Sequence, residues 1–119
     1  MKFTYNILKE ENINIISMEG ELIDKSQATG LLLSIDEKIE NKELKLVFDL
    51  KALKYLNSSG LTILIQILTK ARKAGGEAVI ANVGKRIKEL LVITKLNTVF
   101  TVTDTVEIGI TKLNKLSSN

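Results

Sequence analysis

The chain has 119 residues, 45% of them hydrophobic and 26% charged, and its 17 basic against 14 acidic side chains give a net charge of +3. That length suits one domain, 1–119, whose single core removes roughly two-thirds of the unfolded chain's surface from water. Cysteine, histidine and proline are all missing, which excludes disulfides, thiol nucleophiles, thiolate or imidazole metal ligands, and the commonest general base.

Phe3, Tyr5 and Ile7 alternate with Thr4 and Asn6, the period of a strand with one face more buried than the other. Glu10-Glu11-Asn12 reads as a turn, and Ile13 to Met18 resumes the strand pattern. The pair predicts an antiparallel hairpin that ends at Glu19-Gly20-Glu21. Asp24 followed by Gln27 fits a reciprocal cap, after which Ala28, Leu31, Leu32, Ile35 and Ile39 fall at helical spacing.

Leu46-Val47-Phe48 with Leu50 predicts a buried central strand. A short polar connection then leads to Asn57-Ser58-Ser59-Gly60, whose oxygens suit the start of a helix. From Gly60 onward Leu61, Leu64, Ile65, Leu68 and Ala71 make one apolar stripe. Ile63 and Ile67 lie on an adjoining shoulder. A shoulder of this kind either widens the buried face or forms part of a docking surface beside Ser58. Gly75-Gly76 stops the helix.

Glu77 to Ala81 predicts the next strand, Lys85 to Thr94 a short helix with Ile87, Leu90 and Leu91 inward, and Thr98 to Val102 a last strand. Asp104 and Glu107 form a second capping pair before a helix lined by Val106, Ile110 and Leu113, with fraying over Ser117-Ser118-Asn119. The order is β-β-α-β-α-β-α-β-α. It implies an α/β domain with an N-terminal antiparallel hairpin, otherwise mostly parallel strands, and about four helices.

Several chemistries lack support. Gly75-Gly76 precedes a strand rather than a helix, so no phosphate loop of the Walker or dinucleotide type occurs. A serine nucleophile at Ser58 or Ser59 would need a base, and nothing singles one out; no catalytic residue, metal site or cofactor is predicted. The clusters Lys70-Arg72-Lys73 and Lys85-Arg86-Lys88 accompany only three Phe and two Tyr, which argues for solvated helix faces rather than nucleic-acid binding. No apolar run approaches the ~20 residues of a membrane span. No signal-peptide pattern opens the chain either, so a cytoplasmic location without membrane insertion is the expectation.

The run Asp49-Leu50…Tyr55-Leu56-Asn57-Ser58-Ser59-Gly60-Leu61, then Lys70 to Gly76, resembles the signature of the STAS domain. The likeness continues through Ala78 to Val83, Leu90 to Leu96 and Val99-Phe100, and is greatest to the stand-alone bacterial anti-sigma factor antagonists. It implies the same mixed-sheet fold and a protein ligand rather than an enzyme. The implied partner is an anti-sigma factor that is also a serine kinase; binding it frees a sigma factor. The resemblance further implies that phosphorylation of Ser58 (less readily Ser59) blocks binding and that a phosphatase reverses it. Asn57 stands where that family often has aspartate. The implied contact surface is Leu56, Asn57, Ser58, Ser59 and Gly60 with Ile63 and Ile67 on the adjoining helix, plus the turn after Met18. The rival is a non-switching STAS scaffold, or an accessory subunit of a signalling assembly or membrane transport complex.

Overall fold

The computed structural model describes residues 2–117. Phe3–Glu10 (β1) and Ile13–Leu22 (β2) form the predicted hairpin, paired antiparallel from Phe3↔Gly20 to Glu10↔Ile13. Thr29–Glu40 is α1 and Lys45–Leu56 is β3. Ser58–Lys73 is α2, Glu77–Ala81 is β4 and Lys85–Ile93 is α3. Thr101–Thr103 (β5) and Val106–Ser117 (α4) complete the described chain. The sheet runs in the order β1-β2-β3-β4-β5, with β2 to β5 mutually parallel. A parallel neighbour needs a crossover, and α1, α2 and α3 supply them.

Strand alternation distributes the core over two layers. Leu46, Phe48 and Leu50 of β3 face the layer holding Leu31 and Ile35 of α1, the apolar face of α2, and Ile87 and Leu91 of α3. Val47, between them, faces the opposite side with Ile13, Ile15, Val79 and Ala81, covered by Leu113, Val106 and Ile110 of α4. One residue's change of face therefore decides which helix a strand side chain meets.

Four boundaries differ from the sequence reading, each for an identifiable reason. β2 does not stop at Glu19-Gly20-Glu21 but continues to Leu22, and β3 continues to Leu56, so no polar connection follows Leu50. The pairing of these two strands shifts register between Ser17 and Glu19 and again between Gly20 and Glu21. At each shift β3 carries one extra residue; a bulge of this kind breaks the two-residue period. Hence Leu50, Leu53 and Leu56, three apart, are all buried.

The last strand is shorter than predicted because Leu96–Thr98 forms a 3-10 turn. Finally, Thr105 rather than Asp104 caps α4: its hydroxyl oxygen accepts from the Ile108 N–H at 3.1 Å. The Asp24–Gln27 reciprocal cap is present, although the turn it opens is 3-10 before α1 begins. Ser117 closes α4; the fraying predicted for Ser118 and Asn119 lies outside the described residues.

Gly75 ends α2 as anticipated, at φ 91. Its N–H donates to the Arg72 carbonyl at 3.0 Å and the Gly76 N–H to the Ala71 carbonyl at 2.8 Å, the paired closing bonds that a left-handed residue permits.

Candidate functional site

A single residue, Asn57, separates β3 from α2. Its backbone is extended (φ −105, ψ −168), and its Oδ1 accepts from the Gly60 N–H at 3.0 Å. Its carbonyl accepts the Leu61 N–H at 2.9 Å, the first bond of the helix. This is the cap geometry that asparagine favours. The other half of the amide does separate work: Nδ2 donates to the Ile23 carbonyl at 3.0 Å. One side chain thereby ties the end of β2 to the start of α2.

Gly60 makes that junction possible. A Cβ at this position would lie 2.3 Å from the Leu22 carbonyl oxygen and 3.0 Å from Leu56 Cβ. The helix thus rests directly on the backbone of the neighbouring strand, a close approach that only glycine allows without a shift.

Ser58 and Ser59 are the first two residues of α2 and both are exposed. Among the described residues no hydrogen bond engages either hydroxyl or either N–H; the Ser58 carbonyl accepts from Thr62 Oγ1 at 2.9 Å. Two helical N–H groups thus remain open beside two free hydroxyls, at the positive end of the helix dipole.

Ser58 also lines an open groove of about 380 Å³, together with Tyr55, Asn57, Arg86 and Leu90. The groove lies at the carboxyl edge of the parallel strands, where the ends of β3 and β4 meet the starts of α2 and α3.

The predicted site residues do not all converge here. Leu56, Asn57 and Ser58 line the groove, with Ser59 beside them. Leu56 and Gly60 are buried beneath the junction and shape it from inside. Ile63 and Ile67 are not surface residues: they are 1% and 0% exposed. The shoulder they form widens the buried face of α2, which packs against α1 as well as against β3 and β4. They leave the contact surface. The turn after Met18 does not exist as such; the segment beside the groove is Leu22-Ile23, which receives the two Asn57 bonds.

Arg86 was visible in the sequence only as part of a basic cluster. Its place follows from topology, since parallel strands joined by crossovers bring the loops after β3 and β4 to one edge. The other basic cluster is otherwise engaged. Lys70 pairs with Asp36 of α1 at 2.7 Å, and Arg72 pairs with Glu77 at 2.9 Å and donates to the Val99 carbonyl. Among the described residues, no group of three or more His, Cys, Asp or Glu converges. No helix there is long and apolar enough to cross a membrane.

The STAS domain family model matches residues 4–108. The chain belongs to the STAS domain family. This STAS domain is 24% identical over 107 residues to BtrV of Bordetella bronchiseptica, named as an anti-sigma factor antagonist, with 90% of each chain covered. The crystal structure of an anti-sigma factor antagonist from Mycobacterium paratuberculosis superposes with a TM-score of 0.81 at 25% identity over 95% of each chain. The phosphorylated form of the Bacillus cell fate determinant SpoIIAA has the same fold. Its TM-score is 0.71 at 14% identity, covering 92% of this chain and 98% of that one.

Proposed function

We propose that this STAS domain is an anti-sigma factor antagonist whose binding face is switched by phosphorylation of Ser58. In this reading the unmodified protein binds an anti-sigma factor that is also a serine kinase and so frees a sigma factor. The kinase supplies ATP and metal, a phosphatase restores the hydroxyl, and the STAS domain is ligand and substrate in the cytoplasm.

The observation that carries the proposal is the state of Ser58: exposed, with no bond to its hydroxyl among the described residues, on a junction made rigid from beneath by Asn57 and Gly60. The names of the relatives support the partner class. A phosphate there adds roughly −1.5 to −2 charge units and three acceptor oxygens. The two open N–H groups and the helix dipole accommodate it, so the fold tolerates the change. A partner packed on the same spot does not. Desolvating an unmatched phosphate costs several kcal/mol, on the order of a hundredfold or more in affinity.

The test mixes the purified protein with co-encoded serine kinases and ATP and maps the phosphate by mass spectrometry. Ser58→Ala retains kinase binding and resists modification. Ser58→Asp binds on the order of a hundredfold more weakly with an unchanged melting temperature. If both variants bind as tightly as the parent, the charge switch is wrong, and absence of phosphate at Ser58 and Ser59 points to a non-switching scaffold.

A further inference from the structure

We propose that Arg86 receives the phosphate of Ser58, so that modification closes the groove with an internal ion pair between the start of α2 and the start of α3. The inference rests on the reading above only in taking Ser58 as the residue that carries phosphate.

Ser58 and Arg86 line the same groove, and Arg86 is the one charged side chain among its described lining residues. Its guanidinium is uncommitted. Lys70 and Arg72 are paired with Asp36 and Glu77, whereas no carboxylate pairs with Arg86 among the described residues, although Glu89 follows it by one helical turn. Asp24, the carboxylate near the end of β2, instead accepts from the Ser26 N–H at 3.3 Å.

The backbone beneath Arg86 is helical and packed on the core. Ile87 next to it is buried, and the Lys88 N–H donates to the Gly84 carbonyl at 2.9 Å. An uncommitted guanidinium in the first turn of a helix suits bidentate capture of a phosphate better than an ammonium would.

Asn57 completes the argument. A carboxylate at this position would stand in the same groove, repelling the phosphate and competing for the guanidinium. The amide is neutral, and both its ends are already used, one on Ile23 and one on Gly60. The groove therefore offers the phosphate one cation and no anion among its described lining residues.

The test installs phosphoserine at position 58 of the full chain during synthesis, without any kinase, in the parent and in Arg86→Gln, Arg86→Lys and Lys85→Gln backgrounds. Phosphorus NMR then follows the second ionisation of the phosphate, ordinarily near pH 6. The expected parent value lies about 0.5–1 unit below that of Arg86→Gln at low salt, and the gap narrows in 1 M salt. Arg86→Lys recovers part of the shift, and Lys85→Gln stays with the parent. Equal values in the parent and Arg86→Gln overturn the pairing. So does a shift from Lys85→Gln as large as that from Arg86→Gln, which would mark a diffuse field rather than a pair. Because the phosphate is installed chemically, a negative result leaves Ser58 standing as the kinase target. Failure of the kinase experiment leaves the pairing measurement intact.

Discussion

Replacing Gly60 with alanine tests whether the Ser58 platform depends on direct contact between α2 and the backbone of β2. The new Cβ would sit 2.3 Å from the Leu22 carbonyl oxygen, whereas a carbon–oxygen contact ordinarily needs about 3.3 Å. The helix and strand must therefore part by about 1 Å at this point. Forcing a methyl into a packed site costs about 1–3 kcal/mol. The displacement also stretches the two bonds that Asn57 donates across this gap, from its N–H to the Leu22 carbonyl and from Nδ2 to the Ile23 carbonyl, worth about 1 kcal/mol each. Alanine's better helix propensity returns at most about 1 kcal/mol. The net expectation is a loss of about 2–4 kcal/mol. Unfolding entropy of about 2.1 cal/mol/K per residue makes this roughly 8–16 °C in melting temperature for a chain of this length. Urea titration followed by circular dichroism reads the change directly. Gly84→Ser is the control: nothing lies within 4 Å of a Cβ there, and Gly84 already holds the uncapped N-cap position of α3. That variant keeps or slightly raises stability. A Gly60→Ala protein as stable as the parent, with the same urea slope, refutes the contact argument.

Two further outcomes follow from burial and from charge. Ile67→Ala lowers stability by about 2–5 kcal/mol, the cost of a cavity in a packed core; a variant that binds a partner poorly yet melts like the parent would contradict the burial of Ile67. The second concerns Glu43, at the opposite end of β3 from Ser58. The Asn14 amide, 3.2 Å away, and the Lys9 ammonium, also at 3.2 Å, hold its carboxyl below the usual 4.5 despite partial desolvation. A lowered folded value stabilises the protein fully above the unfolded carboxylate's value, and that contribution drains away as pH falls through the folded one. The urea-midpoint gap between parent and Glu43→Gln is therefore widest near neutrality and closes at acid pH. A gap constant from pH 7 to pH 3 argues against it.

The order of elements was legible because most segments keep one period throughout: Phe3-Tyr5-Ile7 alternates, and Leu61-Leu64-Leu68-Ala71 turns as a helix. The far half of β3 was not legible, since Leu50, Leu53 and Leu56 stand three apart, a spacing foreign to strand alternation that becomes a buried row only because two bulges shift the pairing. The role of Ser58 at a helix start could be read from local composition, but which residue caps it could not. Asn57 and both serines are all good caps, and the choice depends on the Ile23 carbonyl, 34 residues away in sequence. Ile63 and Ile67 show the limit of a helical wheel: it orders residues around an axis without saying how many sides are covered. Arg86 lay beyond any local pattern, because its neighbourhood with Ser58 exists only once β3 and β4 lie side by side.

Only Asn57 intervenes between β3 and α2, so the Ser58 hydroxyl is presented on a stiff corner rather than on a mobile stretch of chain. An enzyme that needs its target as an extended peptide would first have to unravel a turn whose cap, glycine contact and buried leucines open together. Any kinase or phosphatase acting here must instead recognise the assembled surface. A short synthetic fragment spanning this corner is accordingly a poor substitute for the whole domain.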